Sequence, residues 1–257
     1  MATTKNIQSV ERTFAILELF QKTGFPELSL REISSQLDLN KSTAFGLVNT
    51  LMNLGYLQQN AENKKYALGI RVLSFIHTAK TQNTVIRTIH PHLEHLSRKY
   101  GETLHCAGRF GDGVVLLDKL EPTGSVSINT NVGSIQPVHC TGVGKCILAY
   151  LPEKDQERIL SAPLQAYTPN TITDPKLLRS ELDKIRRQGF AEDNEEIAVG
   201  VSCLAVPVLS GPDTVVCAVS ATGISSQLQT DRENGLLDEL IQMSAELTRM
   251  AFGSESR

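Results

Sequence analysis

The fold is decided by residues 28–57, LSLREISSQLDLNKSTAFGLVNTLMNLGYL. The first helix of this stretch is predicted to follow Ser29, because Ser29 and Glu32 have the spacing of a capping box. In a capping box each side chain accepts a hydrogen bond from the other residue's backbone amide. Residues 38–40 then interrupt the apolar periodicity. Two short helices separated by three residues are typical of a helix-turn-helix, whose second helix enters the DNA major groove.

The second helix is predicted to span Lys41–Leu54, with Asn40 as its N-cap and Gly55 at the left-handed position that often ends a helix. Its buried stripe is predicted to comprise Ala44, Leu47, Val48, Leu51 and Leu54. A helix over residues 7–20 packs behind this motif. Residues 56–59 and 65–68 alternate around a polar turn, which predicts a β-hairpin. A hairpin directly after the second helix is a wing.

Six residues of the second helix lie off its buried stripe and are candidates for DNA contact: Lys41, Ser42, Thr43, Phe45, Gly46 and Asn49. Hydroxyls near the helix N-terminus can reach phosphates or base edges, and the Asn49 amide can read adenine through two hydrogen bonds. Residues 1–68 contain seven basic and six acidic side chains, a net charge of +1. Phosphate contact must therefore come from helix N-termini, hydroxyls and a few placed cations.

The chain has 257 residues, 40% of them hydrophobic and 21% charged, which suits a globular protein of two domains. The N-terminal residues lack the apolar core of a secretory signal, and no apolar run is long enough to cross a bilayer. Five cysteines without a CxxC pair favour reduced thiols. We therefore expect a cytoplasmic protein that does not contact membranes.

Three segments are expected: a winged helix-turn-helix domain at 1–69, a linker helix at 70–83 and an α+β domain at 84–252. In the last segment, residues 111–113 join strands 103–110 and 114–120 as a hairpin. Further strands are predicted at Val126–Thr130, Phe190–Asp193, Ser202–Leu209 and Val215–Thr222. Helices are predicted at 84–99, 141–151, 175–187 and 230–250, the last opening with a capping box at Thr230 and Glu233. Helices flanking a largely antiparallel sheet give the α+β class.

A series of motifs runs along the chain in a fixed order: QSVER (8–12), KSTA (41–44), YALG (66–69), VHCTGVGK (138–145), DNEE (193–196) and GVSC (200–203). This series resembles the IclR family of bacterial transcriptional regulators over nearly the whole chain. The resemblance implies a GAF-like effector-binding domain, dimers through the DNA-binding halves and tetramers through the sensor halves. It also implies a set of effector contacts: Gly142, Val143, Asp193, Cys203, Ser220 and Thr222, with Ile128 and Val201 on the apolar side.

The chain departs from that family at three positions. Gly46 stands where arginine is common, and it costs roughly 1 kcal/mol of helix propensity. We therefore expect an unusual operator or greater reliance on DNA shape. Thr222 replaces a common serine, which keeps the hydroxyl and adds a methyl group, and Gln136 replaces an apolar wall residue of some relatives. These changes leave the identity of the ligand open.

The segment TGVGK, Thr141–Lys145, fails the test for a phosphate-binding P-loop. His139 stands where the first glycine is needed, and Cys146 stands where Ser or Thr would follow the lysine. A helix that opens with Thr141 as its N-cap leaves free amides that suit a carboxylate. The alternative is a glycine-rich helix start that is needed only for close packing.

Ser220 and Thr222 are two residues apart on a predicted strand, so their hydroxyls share one face. They form either a polar pocket wall or the solvated face of an edge strand. Asp193 belongs to an acidic cluster with Glu192, Glu195 and Glu196, a pattern that is more often a solvated turn than an acid–base site.

No nucleophile or base stands at an interpretable spacing, and nothing in the sequence near Cys203 would lower the pKa of its thiol. We therefore expect no enzymatic activity and no cofactor. His90, His92 and His95 could hold a metal, but no pair has a strong zinc-finger spacing. Packed or solvated histidines are favoured, and no metal is expected.

The sequence therefore predicts a ligand-responsive regulator that binds double-stranded operator DNA, senses a small carboxylate effector and forms a homodimer or homotetramer. Two other classes stay open at this stage. One is a metabolite-binding or enzymatic α+β domain fused to a helix-turn-helix, and the other is an adaptor whose helix-turn-helix serves assembly.

Overall fold

The predicted helix-turn-helix is present in the computed structural model, which describes residues 6–122 and 130–252. Helix α1 spans Gln8–Thr23, α2 spans Leu30–Gln36 and α3 spans Lys41–Asn53. The capping box forms as predicted: the Ser29 amide donates to Glu32 Oε2 at 2.7 Å, and the Glu32 amide donates to Ser29 Oγ at 3.2 Å. These bonds satisfy donors that the first turn of a helix leaves free.

Helix α3 begins at Lys41 as predicted and ends at Asn53, one residue before the predicted end. Asn40 occupies the N-cap, but its side chain makes no capping hydrogen bond. Ala44, Val48 and Leu51 are buried as predicted, whereas Leu54 is 48% exposed. Leu54 lies after the last helical residue, so its side chain leaves the buried stripe. Gly55 has the predicted left-handed conformation, with φ of 79°.

The wing follows directly. Strand β1 spans Leu57–Gln59 and pairs antiparallel with β2, Tyr66–Leu68. Leu28 bridges Tyr66 through two backbone hydrogen bonds of 2.8 Å, which attaches the wing to the start of the helix-turn-helix. The hairpin that the sequence predicted is therefore confirmed.

A helix is also present within the predicted linker: α4 spans Val72–Gln82. The Phe75 ring stacks on Tyr56, with ring centroids 5.8 Å apart. Leu73 and Ile76 are about half exposed in the single chain, at 56% and 48%. By its internal contacts the chain divides into two units, Met1–Gln82 and Asn83–Arg257; the three-segment division of the sequence stays a prediction.

The second unit is built on a six-stranded antiparallel sheet with the order β5-β4-β3-β8-β7-β6. Its strands are β3 Thr103–Phe110, β4 Gly113–Leu120, β5 Ile135–Gln136, β6 Ala191–Asn194, β7 Val201–Gly211 and β8 Thr214–Ile224. Its helices are α5 Thr84–Tyr100, α6 Gly142–Ala149, α7 Glu153–Leu160, α8 Pro175–Gln188, α9 Ser225–Glu233 and α10 Leu236–Leu247, followed by a π-helical turn, Thr248–Phe252.

Helices cover both faces of this sheet. Because successive strand residues point to opposite sides, each strand contributes side chains to both cores. On β7, Cys203 and Ala205 join the core beneath α6 and α8, whereas Leu204 and Val206 join the core beneath α5 and α10. The α+β class is therefore confirmed. Among the helices that the structure describes, none has the length and apolar content to cross a membrane.

One prediction for the second unit was wrong, and two elements were missed. The predicted helix at 230–250 is instead covered by two helices, because Gly235 takes φ of 100° and interrupts the helical run between α9 and α10. The first of them, α9, begins earlier than predicted, at Ser225. Thr230 lies inside α9 and is not its N-cap. Its hydroxyl donates to the Ser226 carbonyl oxygen in the same helix. Strand β5 and helix α7 were not predicted. The strand predicted at Val126–Thr130 falls at residues 123–129, outside the described residues, except for Thr130, which is not in a strand.

The capping box gives a first test. Ser29→Ala should lower the free energy of unfolding of the first unit by about 0.5–2 kcal/mol, because the Glu32 amide loses its acceptor. Hydrogen exchange of the α2 amides measures this loss. Ser35→Ala is the matched control, since Ser35 is exposed on the same helix. Equal protection in the two variants would contradict the capping role.

Candidate functional site

The residues predicted for DNA contact lie on the outer side of α3. Lys41, Ser42, Phe45, Gly46 and Asn49 are exposed, and Thr43 is half-buried. Phe45 is an apolar ring that is 55% exposed, so much of its surface is open to a partner. A Cβ added at Gly46 would meet no atom within 4 Å, so a larger side chain fits at this position.

The second unit contains a cavity of about 330 Å³ between the start of α6 and strands β3, β7 and β8. Seven of the eight residues expected to contact an effector line it: Gly142, Val143, Asp193, Val201, Cys203, Ser220 and Thr222. The eighth, Ile128, lies outside the described residues. Gln136, which the sequence marked as a wall residue, also lines the cavity.

Five lining residues were not anticipated: His105, Leu116, Thr130, Ile197 and Ala198. His105 lies directly opposite Ser220 in the β3–β8 register, so both side chains point to one face. Strand pairing would have identified His105, but the sequence alone does not give the pairing. A wider groove of about 570 Å³ between α7 and α8 is an open surface feature lined mainly by polar and charged side chains. Its shape suits a bound small molecule less well than the cavity does.

Helix α6 begins at the cavity. Thr141 Oγ1 accepts a hydrogen bond from the Gly144 amide at 3.1 Å and donates to the Pro137 carbonyl oxygen at 2.8 Å. The Thr141 carbonyl accepts from the Lys145 amide. Among the described residues the amides of Gly142 and Val143 have no acceptor. Two donors at the positive end of a helix dipole therefore belong to residues that line the cavity.

The two glycines of this helix start are required for packing. A Cβ at Gly142 would lie 2.7 Å from Cys203 Sγ, and a Cβ at Gly144 would lie 2.4 Å from Thr141 Oγ1. The sequence offered ligand access and close packing as alternatives for these glycines. Close packing explains why neither position can carry a side chain. It leaves the free backbone amides available to a ligand.

Ser220 and Thr222 lie on β8, which is central in the sheet between β3 and β7. The alternative that these hydroxyls lie on a solvated edge strand is therefore wrong. Ser220 is 1% exposed. Thr222 Oγ1 is 3.3 Å from His105 Nδ1, and His105 Nε2 is 2.8 Å from Thr130 Oγ1. Burial lowers the pKa of His105 to about 4, so the imidazole is neutral at pH 7.

The acidic cluster is not the solvated turn that the sequence favoured. Asp193 and Glu196 are buried, at 7% and 4% exposure. Asp193 Oδ1 accepts the Glu196 amide at 2.7 Å, yet burial raises the pKa of Asp193 to about 7 because the charged form is poorly solvated.

Lys145 pairs with Glu196 through Nζ and Oε1, and the lysine is 1% exposed. Sequence reasoning missed this buried ion pair, since the two residues are 51 positions apart. The other carboxylate oxygen, Glu196 Oε2, is buried without a hydrogen-bond partner among the described residues. The hydroxyl of Thr171 donates to the Glu196 carbonyl at 2.6 Å, so the segment after β6 is held from two sides.

The thiols do not form a reactive site. All five cysteines are free and buried. Burial raises the pKa of Cys203 to about 11 and that of Cys140 to about 12, and it raises the pKa of Cys146 as well. The pKa of Cys106 is raised by its hydrogen bond with Cys217 and then by burial. Such thiols are protonated at neutral pH and are weak nucleophiles.

The histidine cluster has one identified partner. His90 Nδ1 lies 2.6 Å from Asp118 Oδ2, a contact that the sequence did not indicate. Across the described ranges, the structure brings together no group of three or more His, Cys, Asp and Glu side chains suited to a metal ion.

Comparison with known proteins matches both units. Residues 9–61 match the IclR helix-turn-helix domain, and residues 77–249 match the C-terminal domain of IclR bacterial transcriptional regulators. The HTH-type transcriptional regulator XynR of Escherichia coli (strain K12) is 34% identical over 244 residues, covering 95% of this chain and 96% of XynR. The HTH-type transcriptional repressor AllR of the same strain is 33% identical over 229 residues, covering 89% of this chain and 84% of AllR.

Among solved structures, the IclR transcriptional regulator from Alicyclobacillus acidocaldarius is similar over 95% of this chain and 99% of its own. Its TM-score is 0.87 and its sequence identity is 27%.

The raised pKa of Asp193 predicts a pH dependence of stability. The folded-state pKa of about 7 exceeds the reference value of 3.8, so the folded state holds this proton more tightly than the unfolded state does. The resulting stability is fully present below the reference value and is lost as pH rises through about 7. As pH rises from about 4 to about 7, Asp193→Asn should therefore lose less stability than the wild type does.

Denaturant titrations at several pH values measure this difference. Glu102, whose pKa burial also raises to about 7, is present in both proteins and cancels in the comparison. Parallel pH profiles for the two proteins would contradict the prediction.

Proposed function

Because the chain belongs to the IclR family of bacterial transcriptional regulators, we propose that it binds operator DNA through α3 and the wing, and that a small organic acid in the second-unit cavity controls this binding. The family and the relatives matched are transcriptional regulators and not enzymes. This argues against the two alternatives, an enzymatic domain and an assembly adaptor. The observation that carries the ligand proposal is the pair of unbonded amides at the start of α6, which belong to the cavity-lining residues Gly142 and Val143.

The exposed face of α3 supports DNA binding. Ser42 and Thr43 stand in its first turn, where hydroxyls and amides can contact phosphates. Asn49 is exposed further along the same helix and can make two hydrogen bonds to an adenine edge. The exposed Phe45 ring suits contact with a thymine methyl group.

The cavity supports a small anionic ligand. A carboxylate placed at the amides of Gly142 and Val143 would need no side-chain cation, because helix N-termini bind anions through their amides and dipole. Ser220 and Thr222 add hydroxyl donors, and Val201 and Cys203 form an apolar wall. Lys145 is not available to the ligand, since it is paired with Glu196. A volume of about 330 Å³ lies at the small end of ligand pockets.

We also propose that the protein is a homodimer or homotetramer. Leu73, Phe75 and Ile76 of α4 are each about half exposed in the single chain. Neighbouring exposed apolar side chains of this kind are typical of interaction surfaces. Light scattering on the purified protein measures the state directly.

The DNA proposal is tested by Asn49→Ala. This variant should lose about 1–3 kcal/mol on an operator recovered from genomic fragments, because the amide that reads the base edge is removed. Binding to random duplex DNA should change little. Fluorescence anisotropy with both duplexes measures the difference, and equal losses on both would count against base readout.

Gly46→Arg is a companion variant, since position 46 has open space for a side chain. An added cation near the phosphates should tighten non-specific binding and steepen its salt dependence. An unchanged salt slope would show that this position faces away from the DNA backbone.

The ligand proposal is tested by Ser220→Ala. The variant should weaken effector binding by about 0.5–3 kcal/mol, because a buried hydroxyl donor is lost. Calorimetry on the full chain against small keto, hydroxy and aromatic acids identifies the effector and measures the loss. Operator binding without ligand should stay as in the wild type.

Ser97→Ala is the matched control, since Ser97 is buried in the same unit and bonds the Glu102 carbonyl away from the cavity. Effector binding by Ser220→Ala that equals that of Ser97→Ala would place the effector elsewhere.

A further inference from the structure

The wing turn, residues 60–65, is shaped by two asparagines. The backbone closes the turn, with the Asn60 amide donating to the Lys65 carbonyl at 2.8 Å. The side-chain oxygen of Asn60 accepts the Glu62 amide at 2.9 Å, and that of Asn63 accepts the Lys65 amide at 2.9 Å. Both side-chain oxygens are therefore used inside the turn, which leaves both NH₂ groups to donate elsewhere.

Glu27 accepts both of these donors. Asn60 Nδ2 lies 2.8 Å from Glu27 Oε1, and Asn63 Nδ2 lies 2.6 Å from Glu27 Oε2. One carboxylate thus holds two points of a turn that is more than 30 residues away in sequence. The hydrogen bonds from Asn60 and then Asn63 lower the pKa of Glu27 below its usual range, so the carboxylate is charged at neutral pH. Hydrogen bonds to a charged acceptor are stronger than neutral ones.

This arrangement fixes the part of the wing that carries its cations. Lys64 is exposed and sits in the turn with φ of 58°, a conformation that non-glycine residues adopt only when their surroundings impose it. Lys65 follows it. Residues 1–68 have a net charge of only +1, so these two lysines are a large share of the cations available for phosphate contact.

We propose that Glu27 is a positioning residue for DNA binding, whose carboxylate clamps Asn60 and Asn63 so that the wing presents Lys64 and Lys65 to the DNA backbone. This inference rests on the DNA binding proposed above. A turn that is ordered before binding loses less conformational entropy in the complex. The clamp also explains a negative charge beside a surface that must approach phosphates.

Because Glu27 is negatively charged, the direction of the change in DNA affinity tests the proposal. Glu27→Gln removes a negative charge, and electrostatics alone would then strengthen DNA binding. It also replaces one acceptor oxygen with an NH₂ group that cannot accept from an asparagine NH₂ group. Loss of the clamp should weaken DNA binding, which is the opposite direction.

The experiment uses the full chain and a random-sequence duplex at low salt. Glu62→Gln is the matched control, because it also removes one negative charge, here from the exposed turn itself, while the backbone hydrogen bond of residue 62 remains. We expect Glu27→Gln to bind about threefold to tenfold more weakly than Glu62→Gln. Hydrogen exchange of residues 60–66 in the free protein should be on the order of tenfold faster in Glu27→Gln than in the control.

A second variant restores the clamp with one of its two hydrogen bonds, the one to residue 63, reversed in direction. Combining Glu27→Gln with Asn63→Asp gives the new amide an acceptor, and the new carboxylate can still accept the Lys65 amide. The net charge equals that of the wild type. Exchange protection and DNA binding should both recover relative to Glu27→Gln alone, which a general loss of stability would not produce.

The outcomes are separable. Unchanged exchange in Glu27→Gln would overturn the clamp. Faster exchange with DNA affinity equal to that of Glu62→Gln would overturn the positioning role while leaving the hydrogen bonds structural. If the wild type itself fails to bind any duplex, the proposed DNA binding fails, and the positioning role fails with it.

Discussion

Helix α6 begins in direct contact with strand β7, and this close approach determines most of the chemistry of the second unit. At Gly142 there is no room for a side chain, because a Cβ would lie 2.7 Å from Cys203 Sγ. The backbone of the first turn is therefore carried to the cavity wall, with the amides of residues 142 and 143 at its edge. The same helix places Lys145 deep enough to meet Glu196, which fastens the segment after β6 beside the cavity. This one packing contact thus positions the free amides, the cavity wall and the lysine of the buried ion pair.

The cavity contains ionisable groups but little fixed charge. His105 is neutral because burial lowers its pKa, and Asp193 is close to half-protonated at neutral pH because burial raises its pKa to about 7. Lys145 is neutralised by its partner. Recognition in such a site depends on the direction of hydrogen bonds rather than on long-range attraction, since each hydroxyl and imidazole nitrogen must be matched by a partner of the opposite kind. The first unit also carries little net charge, +1 over residues 1–68.

Local sequence signals predicted the elements that local chemistry determines. The capping box at Ser29, the glycine after α3 and the alternation of the wing each act within a few residues, and each appears in the structure. Seven cavity residues were anticipated because the family resemblance indicates which residues meet in space. Their spacing along the sequence does not. The features missed depend on partners far away in sequence: Lys145 with Glu196, and His105 with Thr222 across two strands. The break at Gly235 was missed because its flanking segments share one helical pattern.

The distribution of the cysteines has a practical consequence. All five lie in the second unit, and the first unit has none. Each is buried, and the raised pKa values of four of them keep the thiols protonated. A thiol-modifying reagent added to the native protein can react only as fast as the second unit opens, because opening is what exposes and ionises the sulfur. The alkylation rate of the unaltered chain therefore reports local opening of the second unit and does not respond to motions confined to the first unit.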